Sequence, residues 1–223
     1  MKLDKNYHDY SMTKEKQLFN NLLIPYGSLL YALQHTKDLS KENINKVVDE
    51  WTATHGDSIN DTLKQQVTDL EAHSRSIIKA ETPLVEQTEQ ADALLEANKI
   101  MLDVTTNNVK QKFIEIGVNE KAYGHDSKTV NTMMDEALNK TVDSLETFSV
   151  QSTINNLAQF IKKSAVAIGY TSYRWRTQRD SRVRPTHAKM DGKWFDISDE
   201  SPEPAGFKPG IDYGCRCWMW EFR

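Results

Sequence analysis

The spacing of apolar residues changes once along the chain, near Gly169, and this change constrains the fold more than any other feature. Before Gly169 the apolar residues recur at the intervals of amphipathic helices. After it, aromatic and polar residues alternate in the segment YTSYRWRT (170–177), as they do in a half-buried strand. We therefore predict an α+β fold, with an elongated helical N-terminal body over residues 1–168 and a small β-rich C-terminal module over residues 169–223.

Proline and glycine residues divide the helical body. Pro25 interrupts the first apolar stretch and predicts two short helices or a kink, because proline removes a hydrogen bond from a helix. Gly56 and Gly117 follow later apolar stripes and predict helix ends, since glycine readily adopts the left-handed conformation of a C-cap. Thr82 followed by Pro83 predicts a helix start.

Three strands are predicted in the module. The first is YTSYRWRT, the second is GKWFDIS (192–198) after an Asp191-Gly192 turn, and the third is CRCWMWEF (215–222). The segment between the second and third strands is rich in proline and glycine, which is typical of a loop. Composition changes at the same boundary, since seven of the eight arginines and four of the five tryptophans lie after residue 170.

Pattern and composition exclude several classes of protein. No segment approaches the roughly 18 apolar residues of a membrane helix, so we expect no membrane partner. The first residues lack the apolar core of a secretory signal. No GxSxG, P-loop or HExxH motif is present, so we predict that the protein is not an enzyme. The isoelectric point, about 5.9, argues against a dedicated DNA-binding protein.

Cysteine and histidine residues of the module suggest a metal site. Cys215 and Cys217 lie two positions apart, so both thiols face one side if the segment is a strand. With His187 they offer three ligands that zinc accepts, and Asp180 or Asp191 is a candidate for a fourth. The other interpretation is a free cysteine pair packed in a small core, with His187 hydrogen-bonded. Separately, we predict that His187 converges in space with the two cysteines, with or without zinc.

Charged residues around these positions have structural interpretations. Pairing of Asp180 with Arg184 would fix the turn after the first strand, and the alternative is that these residues recognise polar groups of a partner. Arg216 should face away from the thiols, where it either pairs with an acid such as Asp212 or is solvated. Trp175 is expected in the core. Four more arginines either contact the phosphates of packaged DNA or form a solvated or partner-facing surface: Arg174, Arg176, Arg179 and Arg182.

The order of these residues resembles the C-terminal signature of the phage Mu F-like minor head (head-morphogenesis) proteins. The resemblance covers about residues 165–220, and its residues are Trp175, Thr177, Asp180, Arg184, His187, Asp191, Gly192, Cys215, Arg216 and Cys217. It implies a structural component of the virion head of a tailed bacteriophage, assembled in the host cytoplasm in multiple copies. The implied partners are the portal protein, the major capsid protein and, as a further candidate, packaged double-stranded DNA.

Two other functions stay open at this level. A zinc-dependent hydrolase or nuclease-like module would use His187 as base or ligand and the cysteines to hold zinc. A helical adaptor would bind nucleic acid through its arginine-rich tail. Turnover of a substrate distinguishes the enzyme, whereas a structural protein co-purifies with heads or portals and shows none.

Overall fold

The structure is a computed structural model that describes residues 3, 6–78, 84–198, 209–210 and 215–223. Long helices followed by a small antiparallel sheet confirm the predicted α+β class. The elements are α1 (Asn6–Gln34), α2 (Lys41–Ile78), α3 (Leu84–Tyr123), α4 (Ser127–Ala167), β1 (Ser172–Arg176), α5 (Pro185–Ala188), β2 (Trp194–Asp196) and β3 (Trp218–Phe222). None of the described helices is long and apolar enough to cross a membrane.

The first helix continues through Pro25, so the predicted break into two short helices is not found. Hydrogen bonds from other side chains engage the turn around the proline. The indole Nε1 of Trp51 donates to the Pro25 carbonyl at 2.7 Å, and the Ser28 hydroxyl donates to the same oxygen at 2.7 Å. Both bonds use the carbonyl of Pro25 itself, whereas the helical bond that proline removes is the one to the carbonyl of Asn21, one turn earlier.

Two glycines predicted to end helices lie inside them instead. Gly56 is within α2, which runs on to Ile78, and Gly117 is within α3, which ends at Tyr123. A side chain at Gly117 would collide with the carbonyl oxygen of Leu39. This glycine therefore permits close approach of the backbone and does not act as a C-cap. The start predicted at Thr82 and Pro83 lies outside the described residues.

The change from helix to strand falls where the hydrophobic period changes. Helix α4 ends at Ala167, and Gly169 follows with a φ of 92°, a conformation that favours glycine. The sheet has the order β2-β1-β3 with antiparallel pairs, and a bulge interrupts the pairing of β1 with β3 between Arg174 and Trp175. Tyr173 and Trp175 are buried between half-buried neighbours, as the alternating pattern predicts.

The chain forms two compact units, each made of segments that lie apart in sequence. The terminal unit comprises Met1–Lys16, Gln65–Leu95 and Ser149–Arg223, and the helical unit comprises Gln17–Lys64 and Glu96–Phe148. Each of the four long helices contributes one part to each unit. The division into domains at residue 168 stays a prediction.

Residues from helices and sheet share the core of the terminal unit. Trp175 of β1 and Phe222 of β3 are buried together with Leu157 of α4. A buried polar contact also joins two helices of this unit, since the Gln66 amide of α2 donates to the Thr153 hydroxyl of α4 at 2.7 Å. Buried polar groups require partners, so this bond restricts how α2 and α4 pack within the unit.

The helical unit is closed by helix packing and by hydrogen bonds between helices. The Tyr26 hydroxyl of α1 lies 2.7 Å from the Thr106 hydroxyl of α3 and donates to the Leu102 carbonyl at 3.2 Å. The Tyr26 ring packs edge-on against Trp51, with centroids 5.0 Å apart. The polar tip of this buried tyrosine is therefore satisfied while its ring fills the core.

Candidate functional site

His187 lies in α5, a single helical turn that begins at Pro185. Proline suits the first position of a helix, because its φ is preset and its missing N–H is not needed there. Only 2% of His187 is exposed, and Trp175 packs edge-on against its imidazole with ring centroids 5.6 Å apart. The imidazole is thus held inside the terminal unit by β1.

Cys215 and Cys217 directly precede β3, which begins at Trp218. The two thiols do not share a strand face as predicted, since residues 215–217 are not part of the ladder. Instead, the backbone N–H of Cys217 donates to the sulfur of Cys215 at 3.4 Å. This local bond folds the segment so that both side chains are buried on the same side.

The structure brings His187 together with both cysteines, and we call these three residues the His–Cys–Cys cluster. The Nδ1 atom of His187 lies 3.4 Å from the sulfur of Cys215 and 3.5 Å from the sulfur of Cys217. All three possible ligand atoms lie within 4.8 Å of one another. The cluster has the atoms and the spacing either of a hydrogen-bonded core triad or of a site for a soft divalent metal.

The two thiols affect each other's ionisation. A hydrogen bond from the Cys217 thiol, opposed by burial, lowers the pKa of Cys215. The same bond, together with burial, raises the pKa of Cys217. The pair therefore releases a first proton readily and a second one reluctantly, as expected for two coupled acids in a buried place.

The carboxylate of Asp191 accepts several hydrogen bonds within the module. It accepts them from the Thr177 backbone N–H at 2.9 Å and from Arg179 Nε at 2.8 Å. Burial by itself raises the pKa of Asp191, but these bonds and the charges of Arg179 and Arg176 outweigh burial, so the pKa lies below its usual value. Thr177 and Arg179 thus occupy the carboxylate. Asp191 is therefore not available as the fourth metal ligand, a role for which the sequence made it a candidate.

Gly192 continues this arrangement. Its φ of 80° lies in the region that favours glycine. Its N–H donates to the Trp175 carbonyl at 2.8 Å, and its carbonyl accepts a bond from Arg174 Nε at 2.7 Å. The predicted Asp191-Gly192 turn therefore connects the chain after α5 to β1 through hydrogen bonds.

The predicted pair of Asp180 with Arg184 is wrong. Asp180 bonds Arg182 instead, with Arg182 Nη2 at 3.1 Å from the carboxylate, and its side chain is 38% exposed. Asp180 and Arg182 are only two positions apart, so the local turn brings Arg182 within reach of Asp180 more easily than it brings Arg184. Burial by itself raises the pKa of Asp180, yet the bonds from Arg182 outweigh it and leave the pKa lowered. An exposed pair of this kind contributes under about 1 kcal/mol.

The four arginines considered for DNA contact all have partners within the terminal unit. The partners are acidic side chains or the face of a tryptophan ring. They are Glu221 for Arg174, Trp220 for Arg176, Asp191 for Arg179 and Asp180 for Arg182. This part of the sheet is therefore an internally balanced network of charges, which agrees better with a structural surface than with a strip of free cations.

The N-terminal segment packs on the module, and sequence reasoning missed this. The Leu3 N–H donates to the Trp220 carbonyl at 2.7 Å, and Tyr7 and His8 stack near the Trp218 ring at 6.0 and 5.9 Å. The apolar spacing of Leu3 and Tyr7, one helical turn apart, is a signal of a buried stripe. Spacing does not reveal which surface a stripe covers, so the contact with β3 was not predictable from it.

Glu15 belongs to the same contact. Arg216 Nη2 lies 3.4 Å from its carboxylate, while Asp212, which the sequence suggested as the partner, lies outside the described residues. Burial raises the pKa of Glu15 to about 7, although the charges of Arg216 and Arg182 lower it. The N-terminal helix therefore contributes a carboxyl group that titrates near neutral pH to the surroundings of Arg216.

Comparison with known proteins supports the resemblance seen in the sequence. The family of phage Mu protein F like proteins matches residues 114–220, a longer segment than the signature at residues 165–220. The additional residues fall in α3 and α4. The match therefore extends the resemblance from the module into the helices that precede it.

A curated relative is an uncharacterized protein of Haemophilus influenzae, 26% identical over 179 residues. The aligned part is 79% of this chain but only 38% of that protein, so the chain spans well under half the length of its relative. No solved structure matches the chain. Over residues 114–220, which include the whole His–Cys–Cys cluster, the chain is therefore similar to the family of phage Mu protein F like proteins.

Proposed function

We propose that this protein is a minor head protein of a tailed bacteriophage, built into the virion in multiple copies next to the portal. The family match over residues 114–220 carries the proposal. Its partners are the portal protein and the major capsid protein. The protein acts by binding and positioning these partners during head assembly, and its helical surfaces supply the contact area that such binding requires.

The burial of the His–Cys–Cys cluster supports a structural role. An enzyme needs a nucleophile or base that substrate can reach, and a catalytic zinc ion must keep one position open to it. Here Cys215 and Cys217 are 4% and 3% exposed, and His187 is equally enclosed. A hydrolase or nuclease would have to open the core around Trp175 before a substrate reached these groups.

Co-assembly tests the proposal directly. The protein is co-expressed with the portal and major capsid proteins of the phage that encodes it, and the heads are separated on a density gradient. We expect it to sediment with the heads and to cross-link to portal or capsid subunits, whereas the protein expressed alone stays at the top. Sedimentation at the top in both cases would contradict the proposal.

Two further measurements separate the alternatives. If packaged DNA were the main partner, the protein would be present in filled heads and absent from empty ones; we expect it in both. For the enzymatic alternative, the purified protein is incubated with zinc and double-stranded DNA. Cleavage that disappears in the His187→Asn variant would identify a nuclease and overturn the structural proposal.

A further inference from the structure

The distances within the His–Cys–Cys cluster have the values of a metal site. In a tetrahedral zinc site with N and S ligands at about 2.1 and 2.3 Å, the ligand atoms lie about 3.5 Å apart. The His187 Nδ1 atom is 3.4 and 3.5 Å from the two sulfurs. The two N–S distances thus match those that one ion would require, and the two sulfurs lie within 4.8 Å of each other.

Hydrogen bonding alone explains these distances poorly. A neutral imidazole Nδ1 either donates one proton or offers one lone pair in the plane of the ring. It can therefore form one well-directed bond to a sulfur, yet two sulfurs lie at nearly equal distances from it. A cation between the three atoms satisfies the nitrogen lone pair and both sulfurs at once.

We propose that His187, Cys215 and Cys217 bind a zinc ion that joins α5 to the segment before β3. Two thiolates and an imidazole form a soft to borderline set of donors, which favours zinc over the hard cations magnesium and calcium. The described residues supply three positions of the tetrahedron. Because all three are buried, the ion has a structural role and is not a site of turnover.

A buried indole next to the cluster supports the proposal. Trp175 is 0% exposed, and its Nε1 has no hydrogen-bond partner of normal geometry among the described residues. The same indole N–H interacts with the sulfur of Cys217. A metal-bound thiolate is a better acceptor than a thiol, so zinc would give this N–H a partner.

A zinc ion at this place would anchor α5 to the rest of the module. Strand β3 holds β1 through antiparallel pairing, but α5 is only one turn long and lies outside the sheet. A structural ion anchors such a short element by direct bonds, and its binding free energy adds to the stability of the fold. The inference does not depend on the role of the protein in the phage head.

The zinc content of the whole protein tests the inference. The protein is purified without chelators, and its metal content is measured by mass spectrometry. We expect about one zinc per chain in the wild type and less than about 0.2 in Cys215→Ser, Cys217→Ser and His187→Asn. The matched control is His35→Asn, because His35 is exposed and lies in the helical unit. Circular dichroism verifies that each variant keeps its helices.

Cobalt substitution decides between metal binding and incidental contamination, and it does so in the wild type, where misfolding is not a concern. Zinc is removed with a chelator and Co²⁺ is added. We expect sulfur-to-cobalt charge-transfer absorption together with the intense visible bands of a tetrahedral site. Less than about 0.2 zinc per chain and no such cobalt spectrum would overturn the proposal. A cysteine variant with wild-type zinc content would overturn it as well.

Discussion

The two compact units use the same four long helices, yet they are closed in different ways. The helical unit relies on apolar packing between helices, with a few buried hydroxyl bonds such as that of Tyr26. The terminal unit adds a three-stranded sheet and the N-terminal segment to its helices. One of its ion pairs joins the first helix to the end of the chain, since Glu15 and Arg216 are separated by 201 residues.

This difference determines what each unit needs for stability. Closing long loops costs conformational entropy, so contacts between distant residues must contribute enough burial and bonding to offset that cost. In addition to burial, the terminal unit has hydrogen bonds and ion pairs centred on Asp191, Gly192 and Glu15, two of which are carboxyl groups with shifted pKa values. We therefore expect substitutions in the terminal unit to be more costly and more dependent on pH.

The largest effect is expected for Trp175→Ala. The side chain is fully buried beside His187 and Phe195, so its removal leaves a cavity in the terminal unit. Substitutions of this kind cost about 3–5 kcal/mol. Denaturant unfolding followed by circular dichroism measures the loss of free energy, and a loss under about 1 kcal/mol would show that the sheet is not central to the unit.

Asp191→Asn should have the next largest effect. The variant weakens the bonds from Thr177 and Arg179, which we expect to cost about 1–3 kcal/mol. Because the pKa of Asp191 is lowered in the folded protein, its contribution is present above the unfolded pKa and lost as the pH falls through the folded value. The exposed Asp180→Asn is the control, with an expected cost under about 1 kcal/mol. Equal costs for both variants would contradict the role assigned to Asp191.

Glu15→Gln tests a pH dependence of stability that is opposite in sign to that of Asp191. The pKa of Glu15 is raised to about 7 in the folded protein, so the folded state favours the protonated form. Stability from this group is complete below the unfolded pKa and is lost as the pH rises through about 7. Relative to the variant, the wild type should lose about 1 kcal/mol between acidic and mildly alkaline pH, allowing for solvent screening. Parallel curves for the two proteins would contradict this.

Tyr26→Phe measures the smallest of these effects and lies in the helical unit. The variant keeps the ring against Trp51 but removes the hydroxyl that bonds Leu102 and Thr106. A neutral hydrogen bond of this kind contributes about 0.5–1.5 kcal/mol. The loss of unfolding free energy should be independent of pH. A pH-dependent loss in the same unfolding experiment would contradict the expectation that pH dependence is confined to the terminal unit.

Several features of the fold could be predicted because they depend on local chemistry. The hydrophobic period identified the helices before Gly169 and the strands after it, since side-chain direction follows from backbone geometry alone. The meeting of His187 with Cys215 and Cys217 also followed from residue type and order. The binding of zinc stays a prediction, which the sequence suggested and which the distances among the three side chains support.

Other features depended on distances that no local pattern encodes. Gly56 and Gly117 have the residue type of helix ends, yet packing keeps their helices continuous and uses Gly117 for close contact with Leu39. Of two aspartates beside arginines, Asp191 is the more buried and accepts a backbone N–H from Thr177, 14 positions away, whereas Asp180 is at the surface and bonds its near neighbour Arg182.

By itself, then, the sequence determined the long helices and the positions of the three strands, the family that the C-terminal part resembles and the three residues proposed to bind a metal. Tertiary structure alone decided which carboxylates are buried, that β3 pairs with β1, and that the segment around Tyr7 and Glu15 covers Trp218 and Arg216. The reason is physical: propensity and periodicity act over a few residues, whereas burial and pairing depend on which distant segments the whole chain brings together.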